Sequence, residues 1–395
     1  MIDENSIAKK IISVIRSIAG NNDLYLHEPL FFGNEWSYLK NCLDTTYVSS
    51  VGKYVNEFEE KISDFTGSKF VVAVVNGTSA LHIGLKLCGV VPKDEVLVPS
   101  FTFVGTVNSI SYNNAIPHFV DIEQETLGID TKKLLQYLYE NTYVKNGICI
   151  NKLTGRIIRA IIPVHTFGHP SNLDDLITIS KKFKIKLIED AAESLGSFFK
   201  GKHTGTFGDL GVISFNGNKT ITTGNGGAIL TNSYDLAKRA RHLTTTAKVP
   251  HKWEYLHDEI GYNYRMSNVN AAIGCAQLEN LKTILLSKRK LYEVYSNKFS
   301  KISELTLFKE PSNCESNYWL QTIILKNENK KELEVILSET NKNRIFTRPA
   351  WKLISELKPY QDCPKMDLTC SKSLSKRVIN IPSSPNILRD INNNG

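Results

Sequence analysis

The sequence predicts an α/β fold, with a mainly parallel sheet sandwiched by helices and a smaller carboxyl-terminal α+β domain. First, strand-like and helix-like runs alternate from about residue 70 to residue 230, the pattern of a parallel sheet covered by helices on both faces. Second, 395 residues with 41% hydrophobic content are enough to bury a large core and to form two domains. Third, a separate strand-then-helix pattern follows at 319–337.

The elements can be assigned in chain order. The segment from Ser6 to Ile18 has helical apolar spacing and ends at an Asn-rich break. Strand-like runs follow at 70–75, 95–98, 117–120, 160–164, 185–190 and 211–214. Ser267 resembles a helix cap, and the spacing after it predicts one long helix towards Ser296. We expect an amino-terminal helix extension at 1–24, a large domain at 25–250 and a small domain at 251–395.

Composition narrows the classes of protein to consider. The net charge of +8 comes from scattered lysines, which indicates solubility and attraction for nucleotide phosphates, not nucleic-acid binding. Seven dispersed cysteines lack metal-ligand spacing, so we expect reduced thiols and no metal site. No apolar run reaches the length of a membrane span and no signal-like segment begins the chain. A cytoplasmic protein that does not bind membranes is expected.

Lys219 is the most informative residue of the chain. It lies in a run of Gly, Asn, Ser and Thr between Ser214 and Ala228. A lysine forms a Schiff base only where the backbone leaves room for an aldehyde and the ammonium can lose a proton. A lone lysine of this kind is more often a solvated charge, so its role depends on its companions.

Two other runs supply what a pyridoxal phosphate cofactor needs. Asp190 ends the run at 185–190, and the carboxyl end of a parallel strand is where open α/β sheets bind ligands. There it would keep a pyridine nitrogen protonated, although a helix cap is the simpler explanation. The strand at 70–75 breaks at Asn76-Gly77-Thr78-Ser79 and continues as a helix, a phosphate-binding arrangement or an ordinary turn.

Taken in order, six motifs resemble the DegT/DnrJ/EryC1 family of sugar aminotransferases, which are fold-type I pyridoxal-phosphate enzymes. The motifs are residues 76–80, 99–104, 163–168, 189–194, 214–219 and 261–266. The segments at 26–29, 48–52 and 347–352 further resemble the branch associated with legionaminic-acid precursors.

The resemblance implies a role for each motif residue. Lys219 would bind the cofactor covalently and later carry a proton between cofactor and sugar, and Asp190 would pair with the pyridine nitrogen. Phe103 would stack on one face of the ring, although a core position is the default for it. The phosphate would be held by residues at the helix start and after the last strand, namely Gly77, Thr78, Ser79 and Ser214.

The remaining candidates have roles that the motifs define less closely. Glu193 would lie near the ring hydroxyl of the cofactor, and Asn263 and Arg265 would reach the neighbouring subunit's site. His165 contacts the cofactor or substrate, or is a structural histidine. Arg348 and Trp351 would form a cation–π or sugar-stacking pair near the nucleotide. Alternatively, they serve core packing and a surface salt bridge.

The resemblance implies an aminotransferase that moves an amino group from glutamate to C4 of a nucleotide-linked 4-keto-6-deoxy sugar, UDP- or GDP-linked and of the 2-acetamido type. The product would serve surface-glycan or nonulosonic acid biosynthesis, and the enzyme would be a homodimer with shared active sites. One alternative is a pyridoxal-dependent dehydratase on the same scaffold, which has histidine in place of the lysine that Lys219 retains. Another is a non-catalytic regulatory protein that binds the cofactor.

Overall fold

Residues 6–388 are described by a computed structural model, and helices and strands alternate through most of them. The helices are α1 (Ile7–Ala19), α2 (Glu35–Asp44), α3 (Lys53–Thr66), α4 (Gly77–Leu87), α5 (Val104–Tyr112), α6 (Thr131–Asn141), α7 (Leu173–Phe183), α8 (Tyr234–Thr244), α9 (Asn268–Glu279), α10 (Leu281–Phe299), α11 (Lys330–Lys342) and α12 (Thr369–Leu374).

The strands are short, and those of the large sheet are almost wholly buried. They are β1 (Phe70–Val74), β2 (Glu95–Pro99), β3 (Ile116–Val120), β4 (Thr142–Lys145), β5 (Ile148–Asn151), β6 (Ile158–Ile161), β7 (Lys186–Asp190), β8 (Phe198–Phe199), β9 (Lys202–His203), β10 (Leu210–Ser214), β11 (Gly227–Thr231), β12 (Lys248–Val249), β13 (Leu256–His257), β14 (Leu305–Leu307), β15 (Cys314–Glu315), β16 (Gln321–Leu325), β17 (Arg348–Pro349) and β18 (Val378–Ile381).

The central sheet has seven strands in the order β1-β11-β10-β7-β6-β2-β3. Strand β11 is antiparallel to both of its neighbours, and the other adjacent pairs are parallel. The carboxyl ends of β1, β2, β6, β7 and β10 therefore meet at one edge. This arrangement matches the mainly parallel sheet that the sequence predicts.

Helices cover both faces of this sheet. Alternate residues of β1 belong to different hydrophobic clusters, because side chains of a strand point to opposite faces. Val72 and Val74 pack in the cluster that includes residues of α4 and α5. Val71 and Ala73 pack in the cluster that includes residues of α3 and α9. Burial on both faces explains why the strands read as continuous apolar runs.

A second sheet, in the order β14-β16-β18-β17, forms the smaller α+β layer. Its hydrophobic cluster includes residues of α1, α10 and α11, and Ile11 and Ile15 of α1 are fully buried. The amino-terminal segment continues along this layer, since the N–H of Ser383 donates to the carbonyl of Leu26 at 2.8 Å. The division into ranges 1–24, 25–250 and 251–395 stays a prediction, and residues 1–5 and 389–395 of those ranges lie outside the described residues.

The single long helix predicted after Ser267 is two helices. The N–H of Asn280 bonds to Gln277 between α9 and α10, and its backbone has φ −103° and ψ −1°. Helix α9 packs against α2 and α3, whereas α10 packs against α1 and β14. The break lacks glycine and proline, so the sequence carried no breaker signal. Within residues 6–388, no helix combines the length and the apolar character that a bilayer span requires.

Candidate active site

A cavity of about 600 Å³ opens at the carboxyl ends of the parallel strands. One wall comes from segments that follow β1, β2, β7 and β10, and the other from β17, the segment before β16, and Leu26. The lining includes Leu26, Asn76, Gly77, Thr78, Thr102, Phe103, Thr106, Phe167, Asp190, Glu193, Ser214, Asn216, Asn218, Lys219, Asn225, Trp319, Leu320, Arg348, Trp351 and Asn380. Nine of the thirteen predicted site residues line this cavity, namely Gly77, Thr78, Phe103, Asp190, Glu193, Ser214, Lys219, Arg348 and Trp351.

Lys219 lies on the loop after β10 and reaches into this cavity. Its side chain is 14% exposed, and its Nζ lies 3.5 Å from Oε1 of Glu193. The same Nζ lies 3.9 Å from the centroid of the Trp319 ring. The loop is folded on itself, because the N–H of Lys219 donates to the carbonyl of Asn216 at 3.0 Å. An amine is thus held inside the cavity, beside one carboxylate.

Asp190 ends β7 and is almost fully buried. Thr106 donates a hydrogen bond to its Oδ2 at 2.7 Å, and the N–H of Ala192 donates to its Oδ1 at 3.1 Å. Burial raises the pKa of the Asp190 carboxyl, against the lowering effect of these bonds and of the charge of Lys219. Among residues 6–388, no ion pair within 4 Å involves Asp190. A buried carboxylate without a paired cation suits a protonated pyridine nitrogen.

Glu193 is fixed by a turn with an unusual backbone. Phe167 has φ 56° and ψ 16°, a left-handed conformation that is rare for a bulky residue and costs free energy. This conformation lets the N–H of Phe167 donate to Oε2 of Glu193 at 2.8 Å, while Oε1 faces Lys219. Burial raises the pKa of Glu193, and the charge of Lys219 acts in the opposite direction. The carboxyl therefore faces the amine from a fixed position.

The start of α4 forms a cradle with the end of β10. Asn76 caps the helix by accepting the N–H of Ser79 at 2.8 Å, and the first N–H groups of a helix have no acceptor within it. A Cβ on Gly77 would approach Cβ of Ser214 to 3.1 Å, so a larger residue would crowd this space. Gly77, Thr78 and Ser214 thus surround a polar recess that fits a phosphate. Ser79 is nearly buried behind this recess and does not line the cavity.

Three predicted site residues lie away from the cavity of their own chain. His165 is fully buried; its Nε2 lies 3.1 Å from Oε2 of Glu189, and its Nδ1 accepts the N–H of Ser171 at 3.1 Å. Arg265 donates to Glu59 and to the carbonyl of Ala73, each at 2.8 Å.

The third of them, Asn263, lies on the surface, where it forms an isolated bridge with Thr245. The contacts of His165 are those of a structural histidine, which was one of its two predicted explanations. The main chain of His165 is also bonded directly to Asp190, whose carbonyl accepts the N–H of His165 at 3.1 Å.

Aromatic rings and one cation complete the walls. The Phe103 side chain is half exposed, and Trp351 stacks on Phe167 with centroids 4.9 Å apart and planes at 28°. Arg348 donates to Oδ1 of Asn341 at 2.9 Å. Phe103, Trp351, Phe167 and Arg348 all line the cavity. Arg348 and Trp351 both line the cavity without forming the cation–π pair of the prediction within the described contacts.

Sequence reasoning missed several residues of the site. Thr106 holds Asp190, Phe167 holds Glu193, and Trp319 covers Lys219. Asn317 was also missed; its Nδ2 donates to the carbonyls of Glu193 and Leu195, each at 2.9 Å. No local pattern marked Asn317 and Trp319, because they precede a strand of the antiparallel sheet and not the carboxyl end of a parallel strand, where α/β folds bind ligands.

Comparison with known proteins agrees with this geometry. The profile of the DegT/DnrJ/EryC1/StrS aminotransferase family matches residues 33–392. GDP-perosamine synthase of Escherichia coli O157:H7 is 35% identical over 363 residues, covering 92% of this chain and 93% of that protein. UDP-4-amino-4,6-dideoxy-N-acetyl-beta-L-altrosamine transaminase of Campylobacter jejuni is 34% identical over 275 residues and covers 69% of each chain.

Solved structures show the same fold. The aminotransferase PseC of Helicobacter pylori superposes with a TM-score of 0.84 at 22% identity, covering 94% of this chain and 97% of that one. A putative sugar aminotransferase of Streptococcus pneumoniae, Spr1654, gives 0.81 at 22% identity over 92% and 94% of the two chains. The predicted fold class is confirmed. The chain therefore belongs to the DegT/DnrJ/EryC1/StrS aminotransferase family and uses pyridoxal phosphate as its cofactor.

Proposed function

We propose that this aminotransferase moves the amino group of glutamate to C4 of a nucleotide-linked 4-keto-6-deoxy sugar. The observation that carries the proposal is Lys219, a cavity-lining amine beside the buried carboxylates Asp190 and Glu193. Relatives of 34–35% identity are named for GDP- and UDP-linked amino sugars, which supports a nucleotide-sugar acceptor. Bound pyridoxal phosphate supplies the electron sink that lets an α-proton leave.

Each wall of the cavity has a task in this proposal. The α4 cradle of Gly77, Thr78 and Ser214 binds the cofactor phosphate, and Asp190 keeps the pyridine nitrogen protonated. Lys219 binds the cofactor covalently in the resting enzyme. Once displaced by an incoming amine, it carries a proton between the cofactor and the substrate carbon.

The outer wall binds the substrates. Trp351 offers an aromatic face to a sugar ring, and Arg348 offers a positive charge to a diphosphate or a carboxylate. Phe103 stacks on the cofactor ring, as the family motif implies. Glu193 accepts a hydrogen bond from the cofactor's ring hydroxyl or from Lys219, because its free oxygen already faces that amine.

A homodimer with shared sites is part of the same proposal. Asn263 lies on the surface, and large apolar side chains are exposed close to it in the chain, at Trp253 (72%), Tyr255 (81%) and Ile260 (82%). Exposed apolar patches of this kind mark protein contacts. A nonulosonic-acid or surface-glycan pathway in the cytoplasm, on the legionaminic branch, stays the predicted setting.

Lys219→Ala tests the proposal, with the exposed Lys202→Ala as a matched control. Protein is loaded with pyridoxal phosphate, reduced with borohydride and mapped by peptide mass spectrometry, which should label residue 219 in the parent and in the control. In a separate sample that is not treated with borohydride, glutamate should convert the bound cofactor to its aminated form in the parent and in the control. A panel of UDP-, GDP- and TDP-linked 4-keto sugars should be aminated by the parent and the control only.

The same experiment separates the alternatives. Label at another lysine, or turnover by Lys219→Ala at the parent rate, would refute the assignment of Lys219. A dehydratase would consume the keto sugar without incorporating nitrogen. A regulatory protein would bind the cofactor and leave every sugar of the panel unchanged.

A further inference from the structure

Trp319 contacts Lys219 and the residue directly before it. The face of its indole ring lies 3.9 Å from Nζ of Lys219. Its indole N–H donates to the carbonyl of Asn218 at 2.7 Å, and Asn218 is the residue directly before Lys219. One aromatic side chain thus contacts the reactive end of Lys219 and also fixes the main chain that carries it. An aromatic face at this distance attracts an ammonium group.

Trp319 is itself held from behind and is only 4% exposed. Its backbone N–H donates to Oδ1 of Asn317 at 2.8 Å. Its carbonyl accepts a hydrogen bond from Nζ of Lys288, on α10, at 3.1 Å. The same Nζ donates to the carbonyl of Ser383 at 2.7 Å. Lys288 therefore ties the main chain at Trp319 to the segment that follows β18.

Burying the amine of Lys288 at this position costs free energy of folding. Its side chain is fully buried, and within residues 6–388 no ion pair includes it. Burial lowers the pKa of the Lys288 amine well below its usual range. An apolar side chain of similar length would avoid this desolvation, but it would leave the buried carbonyls of Trp319 and Ser383 without this donor. The lysine is therefore explained by these two hydrogen bonds, one of which fixes the main chain at Trp319.

We propose that Trp319 is a positioning residue for Lys219 and that Lys288 holds Trp319 in place. The proposal rests on the proposed function, in which Lys219 binds the cofactor. Trp319 restricts the amine of Lys219 to a few orientations that face the cavity, next to the free oxygen of Glu193. Without the ring, the amine explores more conformations and attaches to the cofactor more slowly.

Variants of Trp319 test the first half of the proposal. Trp319→Leu removes the ring and the N–H, Trp319→Phe keeps a ring face, and the exposed Trp253→Phe is the control. The rate at which apo-protein binds pyridoxal phosphate covalently is followed by visible absorbance that borohydride abolishes. We expect it to fall about tenfold in Trp319→Leu, to recover in large part in Trp319→Phe, and to stay at the parent value in the control.

A second readout separates positioning from a general loss of structure. Acetylation of apo-protein by a small reagent is measured at Lys219 by mass spectrometry, relative to Lys202. Since the ring shields the amine, acetylation of Lys219 should become faster in Trp319→Leu while attachment of pyridoxal phosphate becomes slower. Unchanged attachment in Trp319→Leu, or parallel slowing of both reactions, would overturn the role of Trp319.

Lys288→Met tests the second half, because methionine retains an unbranched stem and removes the amine. This variant leaves the carbonyls of Trp319 and Ser383 without their donor, so it should fold but unfold at a lower urea concentration than the parent. It should attach pyridoxal phosphate as slowly as Trp319→Leu and show the same faster acetylation of Lys219. A variant that fails to fold, or one that attaches the cofactor at the parent rate, would overturn the role of Lys288. If the parent itself shows no label at Lys219, the proposed function fails, independently of the result for Trp319.

Discussion

Removing the Thr106 hydroxyl should weaken cofactor binding in a pH-dependent way. The Thr106→Val variant keeps the size of the side chain and deletes one hydrogen bond, the 2.7 Å bond to Oδ2 of Asp190. Burial raises the pKa of Asp190, and this bond is the largest of the effects that lower it. The pKa of Asp190 therefore rises further in the variant, and its carboxylate needs a more alkaline solution to form.

The magnitude follows from the two charge states of Asp190. A hydrogen bond to a charged group contributes about 1.5–3 kcal/mol, and one between neutral groups about 1 kcal/mol. Where apo-protein holds Asp190 protonated, binding must ionise it, and the parent then gains the difference of about 0.5–2 kcal/mol. The variant should bind the cofactor about 2- to 30-fold more weakly there. At higher pH the carboxylate is ionised before binding in both proteins, so the two affinities should converge.

The assay is equilibrium binding of pyridoxal phosphate to apo-protein across the acid range. Titrations of the cofactor itself are common to all proteins compared, so the ratio of affinities reports on Asp190. Ser109→Ala is the control, since Ser109 is a fully buried residue of the same helix whose hydroxyl bonds to the carbonyl of Thr106. An affinity ratio that stays constant with pH would refute the assignment of Asp190 as the carboxylate that must ionise.

Three further predictions follow from contacts in the site and below it. Asp190→Asn should stabilise apo-protein at neutral pH: because burial raises the pKa of Asp190, the parent protein loses stability as the pH rises through that pKa and the carboxyl ionises, and Asn avoids this loss. Thermal unfolding at several pH values checks this. Transamination by the same variant should fall by about 100-fold or more. Arg265→Met should lower the free energy of unfolding in urea by about 3 kcal/mol, since it leaves Glu59 buried with one partner fewer; equal stability would contradict this. Trp351→Leu should raise KM for the sugar nucleotide about five- to tenfold with a smaller change in kcat, because it removes the aromatic face proposed to contact the sugar ring, which stacking on Phe167 holds in place; Trp351→Phe should restore most of the affinity.

Much of the fold could be predicted because the hydrophobic pattern determines it. The strands at 70–75, 95–98 and 211–214 coincide with β1, β2 and β10 to within one residue, since central strands buried on both faces read as uninterrupted apolar runs. The same logic placed Asp190 and Ser214, because each ends such a strand. The antiparallel orientation of β11 could not be predicted, because an apolar run does not indicate whether the neighbouring strands are parallel or antiparallel to it.

Residues of the second wall of the cavity were harder to predict. Trp319 and Asn317 reach the cavity only because the sheet of the small domain packs against the large one, a long-range arrangement that no local pattern encodes. The partner of Arg265 could not be predicted either. Glu59, 206 residues earlier in the chain, accepts its hydrogen bond within the same protomer, and the contact of Arg265 with the neighbouring subunit's site stays a prediction.

The docking of α1 has a consequence for synthesis on the ribosome. Helix α1 is made before the large sheet, but its apolar face packs against α10 and α11, and Leu26 is bonded to Ser383, more than 350 residues later in the chain. Such contacts have the largest sequence separation available, and contacts of this kind form late in folding. Leu26 also lines the cavity. A nascent chain can therefore fold its large sheet before Ser383 has been made, yet the cavity wall at Leu26 is fixed only once Ser383 is available to bond to it.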